Sequence, residues 1–261
     1  MSVRQQLLAI TLGAALLPTL AVAADSTPAF TPEQEARIGQ IASDYLVAHP
    51  EVLLQASQKL QQLQEQQQMG AMTEAVIQNQ AALVNDKNTP TYGPAKAKVA
   101  VVEFFDYQCI FCSRLAPVME QVVKENPATR FVFKEWPIFG DRWENSLVAA
   151  QTGLQVYQQK GAEAYLTYHN GIYATGHNEG KLTQDDITQA AKKVKFDASK
   201  ATDTQPVLVE INKLAQQIGL SGTPGLIVLP TSGANAQNTT VFPGLASKQA
   251  IEAAIKKAAG G

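Results

Sequence analysis

A continuous apolar run leads directly into the two cysteines of the chain. Residues 99–105 contain a single charged side chain, Glu103, and this is the pattern of a strand buried on both faces. Cys109 and Cys112 follow in a Cys-x-x-Cys spacing, and the chain has no other cysteine. The spacing predicts that a helix opens at Cys109, directly after the buried strand, with both sulfurs on one face of its first turn.

The pattern beyond this point alternates strands with helices. Three further strands are predicted, at residues 130–136, 226–229 and 239–242. A last helix should follow Ser247, with Ile251 and Ile255 on its inner face. A helical stretch over about residues 141–205, with a capping box at Thr183–Asp186, interrupts the strand order and predicts an inserted subdomain. We therefore expect an α/β fold with a mixed sheet and helices on both sides.

The N-terminal segment contains helix formers and no strand-like run. Thr31 is a predicted N-cap with Pro32 at the first helical position, and this helix should end near His49–Pro50. A second helix is predicted from Glu51 to about Val84. Residues 85–94 contain the turn formers of a linker.

Four apolar residues of the second helix are spaced as in a heptad seam. Leu53, Ala56, Leu60 and Leu63 step by three, four and three positions, while the opposite face is rich in glutamine. Such a stripe is too narrow for a helix that packs into a globular core. It predicts oligomerisation, and the alternative is a helix that packs on its own domain.

The start of the sequence has the composition of an export signal. Arg4 precedes an 11-residue apolar run over residues 7–17, and small residues at 21–24 offer a cleavage site. The run is shorter than the ~20 residues that span a bilayer, so an uncleaved anchor is the weaker alternative. Export to the periplasm would carry both thiols out of the reducing cytosol, where they can be oxidised.

These features divide the chain into three predicted parts. They are a signal peptide over residues 1–24, a helical oligomerisation domain over 25–86 and a catalytic domain over 87–261. A formal net charge of -2 provides no basic field for a phosphate backbone, so we expect no nucleic-acid partner.

Three kinds of chemistry fit a Cys-x-x-Cys pair. A structural disulfide across so short a loop would stabilise the fold by only about 2 kcal/mol and would connect nothing distant. A zinc site needs four ligands, and the chain's three histidines, His49, His169 and His177, are scattered, the last two being expected at the surface of the insertion. Copper held by the two thiolates remains an alternative. Redox exchange is favoured, because a helical pair can close and reopen without moving the backbone.

The redox interpretation assigns a different role to each sulfur. The unpaired N–H groups and positive dipole end of a helix N-terminus favour a thiolate on Cys109, which is therefore the predicted nucleophile. Cys112 lies one turn inside the helix and is the predicted resolving thiol. The redox-active disulfide between them would need no other cofactor.

Two motifs together resemble the DsbA-like branch of the thioredoxin fold. They are VVEFFDYQCIFC, with Glu103 six residues before the first cysteine, and the later SGTPGLIV. The resemblance covers about residues 90–260 and implies a thioredoxin fold with an inserted helical subdomain, here preceded by an all-helical oligomerisation segment. Trimeric members of this family have a similar N-terminal helical extension.

The resemblance also implies roles for several residues. Pro224, preceded by Thr223, would be cis and face the cysteines, where an extended client chain could pair with the backbone. Ile110 and Phe111 would also contact the client. Glu103 would be a buried acid beneath the second cysteine, with its pKa raised by burial, and would accept the proton that this thiol loses.

One departure from the family's strongest oxidases bears on function. The Ile110–Phe111 pair has no histidine that could stabilise the thiolate, so we expect a less oxidising disulfide. Thr223, directly before Pro224, resembles the threonine that isomerase members of the family have before the cis-proline. The resemblance thus implies a disulfide isomerase or oxidoreductase for misfolded exported proteins, with a membrane redox partner of the DsbD or DsbB type. A periplasmic chaperone or copper-binding protein is the alternative.

Overall fold

The structure is a computed structural model that describes residues 29–260, so the predicted signal peptide lies outside the described residues. The chain divides after Lys59 into two compact units. Among the described residues, no helix combines the length and apolar character needed to cross a bilayer.

Among its described residues, the first unit contains helix α1 and the start of helix α2. Helix α1, Pro32–Ala48, begins at Thr31, whose side chain and backbone form a capping box with Gln34. The helix ends at His49 as predicted, and α2, Glu51–Gln78, follows Pro50. No residue of α1 is buried, and its apolar residues Ile38, Ile41, Tyr45 and Val47 are solvent-exposed.

The second unit begins inside α2, earlier than the predicted boundary at residue 87. Met72 and Val76, in the second half of α2, are buried in one core with residues of the sheet. Helix α3, Gln80–Val84, follows after a break at Asn79, and two of its apolar residues join the same core. This part of the predicted oligomerisation domain packs on the sheet because its apolar face widens beyond a heptad seam.

The predicted linker is ordered by the sheet and by a buried lysine. Strand β1, Thr91–Tyr92, pairs antiparallel with the third strand of the chain. The ammonium of Lys134, 1% exposed, donates to the Ala82 carbonyl at 3.1 Å, to Asp86 at 3.1 Å and to Thr89 at 2.9 Å. A linker assignment for residues 85–94 was therefore wrong in part, because these contacts fix the segment on the core.

The predicted mixed sheet is confirmed, with strand order β1-β3-β2-β4-β5. Strand β2, Val99–Phe105, lies at its centre and pairs parallel with β3, Arg130–Glu135. On its other side β2 pairs antiparallel with β4, Gly225–Pro230, which pairs antiparallel with β5, Thr240–Phe242. All seven residues of β2 are buried, as its apolar composition predicts.

Helices cover both faces of the sheet. Five helices follow β2 along the chain: α4, Ile110–Glu125; α5, Glu144–Tyr173; α6, Gln184–Lys193; α7, Gln205–Gln217; and α8, Lys248–Ala258. Buried residues of α4, α5, α6 and α8 form the core on one face, and those of α2, α3 and α7 form the core on the other.

The predicted insertion is present between β3 and α7. We call residues 137–204 the helical insertion; it contains α5, α6 and a short 3-10 helix, Ala198–Lys200. Helix α5 is interrupted at Gly161, where φ is 80°. The capping box at Thr183 and Asp186 opens α6 as predicted.

Candidate active site at Cys109 and Cys112

Cys109 is the N-cap residue of α4, so the predicted position of the pair at the start of a helix is confirmed. We call residues 106–109, between β2 and this helix, the active-site loop. The Cys109 N–H donates to the Asp106 carbonyl at 3.1 Å, and the Cys109 carbonyl accepts from Ser113 N–H at 3.0 Å. Cys112 lies one turn along with no exposed surface, and both thiols are free. The two sulfurs therefore lie in different surroundings.

These surroundings change the pKa of each thiol in opposite directions. The pKa of Cys109 is lowered to about 6, first by a hydrogen bond from the Cys112 thiol and then by Thr223 and by the backbone N–H groups of Phe111 and Cys112. The pKa of Cys112 is raised well above its ordinary value by burial and by neighbouring Cys109. The helix terminus acts as predicted, but the partner thiol is the larger cause.

The loop before β4 lies directly against the first cysteine. The Thr223–Pro224 peptide bond is cis, and the Cys109 thiol donates to the Thr223 carbonyl oxygen at 3.3 Å. The Thr223 hydroxyl is buried without a hydrogen-bond partner among the described residues, and its proximity helps to favour the Cys109 thiolate. The structure therefore brings Cys109 against Thr223 and Pro224, which follow it by more than a hundred positions in the sequence.

Glu103 is buried in the centre of β2. Alternate side chains of a strand face opposite sides of the sheet, and Val101 and Phe105 lie in the same core as Cys112. Glu103 therefore faces the layer that contains the cysteines. It is 2% exposed, its Oε2 atom has no hydrogen-bond partner among the described residues, and burial raises its pKa to about 8.

The two residues between the cysteines differ in exposure. Phe111 is 48% exposed, and the Arg114 guanidinium lies over its ring at 5.6 Å. Ile110 is partly buried at the first position of α4. An apolar ring is thus presented to solvent beside Cys109.

A second buried carboxyl on the same face of the sheet was not predicted. Glu135, at the end of β3, accepts hydrogen bonds from the hydroxyls of Tyr107 at 2.9 Å and Tyr165 at 2.8 Å. Burial raises its pKa well above the ordinary value. The alternation along β3, which places it with buried Phe131 and Phe133, was the signal that could have found it.

The prediction that His169 lies at the surface of the insertion was wrong. Its ring is 2% exposed and packs on Phe105, Phe133 and Tyr173, and burial lowers its pKa to about 3. Helix α5 buries it because the flanking tyrosines pack on the sheet. His177 is exposed as expected and pairs with Asp186 at 2.8 Å. Within residues 29–260, no group of three or more histidine, cysteine and acidic residues could hold a metal ion.

Comparisons with known proteins match both parts of the chain. Residues 34–67 match the family described as the copper resistance protein ScsC N-terminal domain, and residues 85–239 match the thioredoxin family. One similar crystal structure is that of Salmonella enterica Typhimurium BcfH, with 39% identity and a TM-score of 0.76, covering 87% of this chain and 96% of that one.

Two further structures are similar at lower identity. A Proteus mirabilis ScsC variant with a linker deletion is 26% identical with a TM-score of 0.62, covering 90% of this chain and 99% of that one. A thioredoxin-like oxidoreductase from Silicibacter pomeroyi is 28% identical with a TM-score of 0.57, covering 69% and 98% respectively.

A curated relative is matched over a small part of its length. The Na(+)/H(+) antiporter NhaA 3 of Salinispora tropica is 22% identical over 148 residues, which are 52% of this chain and 21% of that protein.

The thioredoxin match covers more than half of the chain, and it includes the cysteine pair between β2 and α4 and the adjacent cis-proline loop. The chain belongs to the thioredoxin family and combines a thioredoxin domain with an ScsC-type N-terminal segment.

Proposed function

We propose that this protein exchanges thiols and disulfides in exported proteins through Cys109 and Cys112, and that disulfide isomerisation is its principal activity. One observation carries the proposal. A cysteine with a pKa near 6 caps a helix, contacts the cis-proline loop at 3.3 Å and has a buried second thiol one turn away. The similarity of this chain to a thioredoxin-like oxidoreductase supports this chemistry.

The exchange proceeds in two steps. The Cys109 thiolate attacks one sulfur of a client disulfide, forms a mixed disulfide and releases the other client sulfur as a thiolate. Cys112 then loses its proton and attacks the Cys109 sulfur, which releases the second client thiolate and leaves a Cys109–Cys112 disulfide. Two electrons pass from the protein to the client. In isomerisation, a client thiolate attacks the mixed disulfide instead and regenerates the Cys109 thiolate.

Glu103 is the proposed acceptor of the proton that leaves Cys112. Its pKa is raised to about 8, so the carboxyl can both accept and release a proton near neutral pH, as a proton relay must. It faces the same core layer as Cys112, and one of its oxygens has no other described partner.

The client is proposed to bind as an extended segment beside Cys109. Thr223 and Pro224 would supply the backbone groups that pair with this segment. The exposed ring of Phe111, with Ile110 behind it, would contact apolar client side chains, which are exposed in unfolded and misfolded proteins. The redox pair itself would be the only cofactor this reaction needs.

Isomerisation is favoured over net oxidation by two features. Ile110 and Phe111 offer no side-chain donor to the Cys109 thiolate, so the thiolate is less stabilised than at the most oxidising sites of this kind. A homotrimer, assembled through the exposed apolar residues of α1 and the first half of α2, would present several active sites to one misfolded client. A periplasmic location and a membrane reductant of the DsbD type complete this proposal, and a DsbB-type oxidant is the counterpart for net oxidation.

The test measures thiol chemistry and isomerisation separately. Iodoacetamide should label Cys109 of the reduced protein with a midpoint near pH 6, and wild-type protein should reduce insulin and reactivate scrambled ribonuclease. Cys109→Ala should abolish both activities, whereas Cys112→Ala should trap mixed disulfides with the client.

Three results would overturn parts of the proposal. Labelling no faster than that of a free thiol at pH 6 would remove the thiolate nucleophile. Insulin reduction without recovery of scrambled ribonuclease would leave an oxidoreductase that is not an isomerase. Full suppression of client aggregation by Cys109→Ala, with no exchange activity in the wild type, would indicate a chaperone.

A further inference from the structure

Asp106, three residues before Cys109, is the most connected polar side chain near the site and has no role in the exchange steps described above. It is 1% exposed. Its Oδ1 atom accepts from the Gln108 N–H at 2.7 Å. Its Oδ2 atom accepts from the Phe139 N–H at 2.9 Å and from the Ser146 hydroxyl at 2.7 Å. One oxygen therefore holds the active-site loop, and the other holds the helical insertion.

The main chain of Asp106 contacts both cysteines. Its carbonyl oxygen accepts from the Cys109 N–H at 3.1 Å and from the Tyr173 hydroxyl at 3.2 Å. Its own N–H group acts on the Cys112 sulfur, where it favours the thiolate and partly offsets the effect of burial on the Cys112 pKa. A shift of this one residue would therefore move the Cys109 backbone and the N–H group that acts on the Cys112 sulfur together.

Gln108 adds a second connection between the loop and the insertion. Its carbonyl oxygen accepts from the Glu179 N–H at 2.9 Å, and its side-chain oxygen accepts from the Gly180 N–H at 2.8 Å. Gln108 is itself 1% exposed. The active-site loop is thus attached through Gln108 to residues 179–180, between α5 and α6, and through Asp106 to the start of α5.

The bonds that favour a Cys109 thiolate depend on this placement. Hydrogen bonds weaken steeply when distance and angle depart from their preferred values, so a displacement of a few tenths of an ångström at Cys109 weakens several of them together. A buried carboxylate suits the task because charge-assisted bonds are shorter and stronger than neutral ones.

We propose that Asp106 is a positioning residue, which fixes Cys109 against Cys112 and the Thr223 loop by holding the active-site loop to the helical insertion. The inference rests on the proposed thiol exchange, since it concerns how the nucleophile of that reaction is held. It makes the insertion a structural part of the active site.

Two substitutions separate positioning from charge. Asp106→Asn removes the negative charge and places an NH2 group against either the Gln108 N–H or the Phe139 N–H, so that a donor faces a donor in both amide orientations. Asp106→Glu keeps the charge but moves both oxygens by one methylene. Loss of charge alone favours a nearby thiolate and would lower the alkylation midpoint of Cys109, whereas loss of position raises it.

We expect the alkylation midpoint of Cys109 to rise by about one pH unit in both variants, which is about tenfold less thiolate below the midpoint. Ser146→Ala, which removes one of three contacts, should give a smaller rise. Asp203→Asn is the matched control, because exposed Asp203 also accepts an N–H from the residue two positions on, at 2.9 Å, but lies far from Cys109 in sequence and outside its contacts.

Thermal unfolding is measured for each variant, and labelling is then carried out at a temperature well below the unfolding midpoint of every variant. An unchanged labelling profile in folded Asp106→Asn and Asp106→Glu would reduce the residue to a stabilising role and overturn the inference. A lower midpoint in Asp106→Asn with no change in Asp106→Glu would show a charge effect and overturn it too. Wild-type insulin reduction, measured alongside, tests the proposed exchange independently of these comparisons.

Discussion

Replacing Glu103 by glutamine should stabilise the protein, although the residue is proposed to take part in the reaction. The carboxyl is 2% exposed at the centre of β2, and burial raises its pKa from 4.5 to about 8. Its ionisation is therefore disfavoured in the folded state. Glutamine has nearly the same shape and cannot ionise, so Glu103→Gln removes this term while it keeps the packing.

The sign and size of the effect follow from the two pKa values. Below pH 4.5 the carboxyl is protonated in both states and contributes no difference. As pH rises from 4.5 to about 8, the unfolded chain loses the proton and the folded chain keeps it, so the free energy of unfolding falls by about 1.4 kcal/mol per pH unit. The full loss is about 5 kcal/mol, of which about 3 kcal/mol is already present at pH 7.

Urea unfolding of wild type and Glu103→Gln at pH 5, 7 and 8, both in the same redox state, measures the difference free of the cysteine titrations. The advantage of glutamine should grow by about 3.5 kcal/mol over this range. Exposed Glu120, on α4, provides the control substitution Glu120→Gln for the loss of one charge. An advantage that does not change with pH would refute the reasoning, because it would show that the buried carboxyl does not titrate there.

Three further outcomes are expected. Lys134→Met should lower the free energy of unfolding, measured in urea, by about 3–5 kcal/mol, because the Ala82 carbonyl, the Asp86 carboxylate and the Thr89 hydroxyl lose the ammonium that donates to all three. Gly153→Ala should destabilise by about 1–3 kcal/mol in thermal unfolding, because its Cβ would lie 2.5 Å from the fixed Glu135 carboxylate. Leu53→Gln with Leu60→Gln should convert oligomers to monomers in light scattering and lower ribonuclease recovery, while insulin reduction is retained; unchanged mass would contradict the helical assembly.

Most of the fold could be predicted because its elements carry local signals. Strand β2 reads as an apolar run, and α1, α6 and α8 begin at Thr31, Thr183 and Ser247, whose side chains accept from the first turn of each helix. Strand β1 escaped prediction because two residues give no alternation, and only pairing with Val132 and Phe131 makes them a strand. The start of the second unit escaped for a similar reason, since the burial of Met72 depends on a sheet that the helix pattern cannot reveal.

The reactive groups and their supports differ in the same way. Cys109, Cys112 and Pro224 stand in short motifs with a characteristic order, so sequence was enough to single them out. The burial of Asp106, Glu135 and His169 depends on distant parts of the chain. Asp106 accepts a hydrogen bond from Phe139, and Glu135 accepts one from Tyr165, each partner lying 30 or more positions away. No spacing rule connects such pairs, so Asp106 and Glu135 were not singled out, and His169 was expected at the surface.

The value of the Cys109 pKa bears on which exchange reaction the site suits. A thiolate with a pKa about 3.5, at the acidic end for such cysteines, is a weak nucleophile and a very good leaving group, so its mixed disulfides resolve toward client oxidation. The attacking thiol is fastest when its pKa lies near the ambient pH. A pKa about 6 leaves Cys109 mostly ionised at neutral pH and still nucleophilic, while the high pKa of Cys112 delays its attack. Under the proposed function, we expect a mixed disulfide formed by such a pair to persist long enough for a second client thiol to attack it, which is the step that isomerisation requires and net oxidation does not.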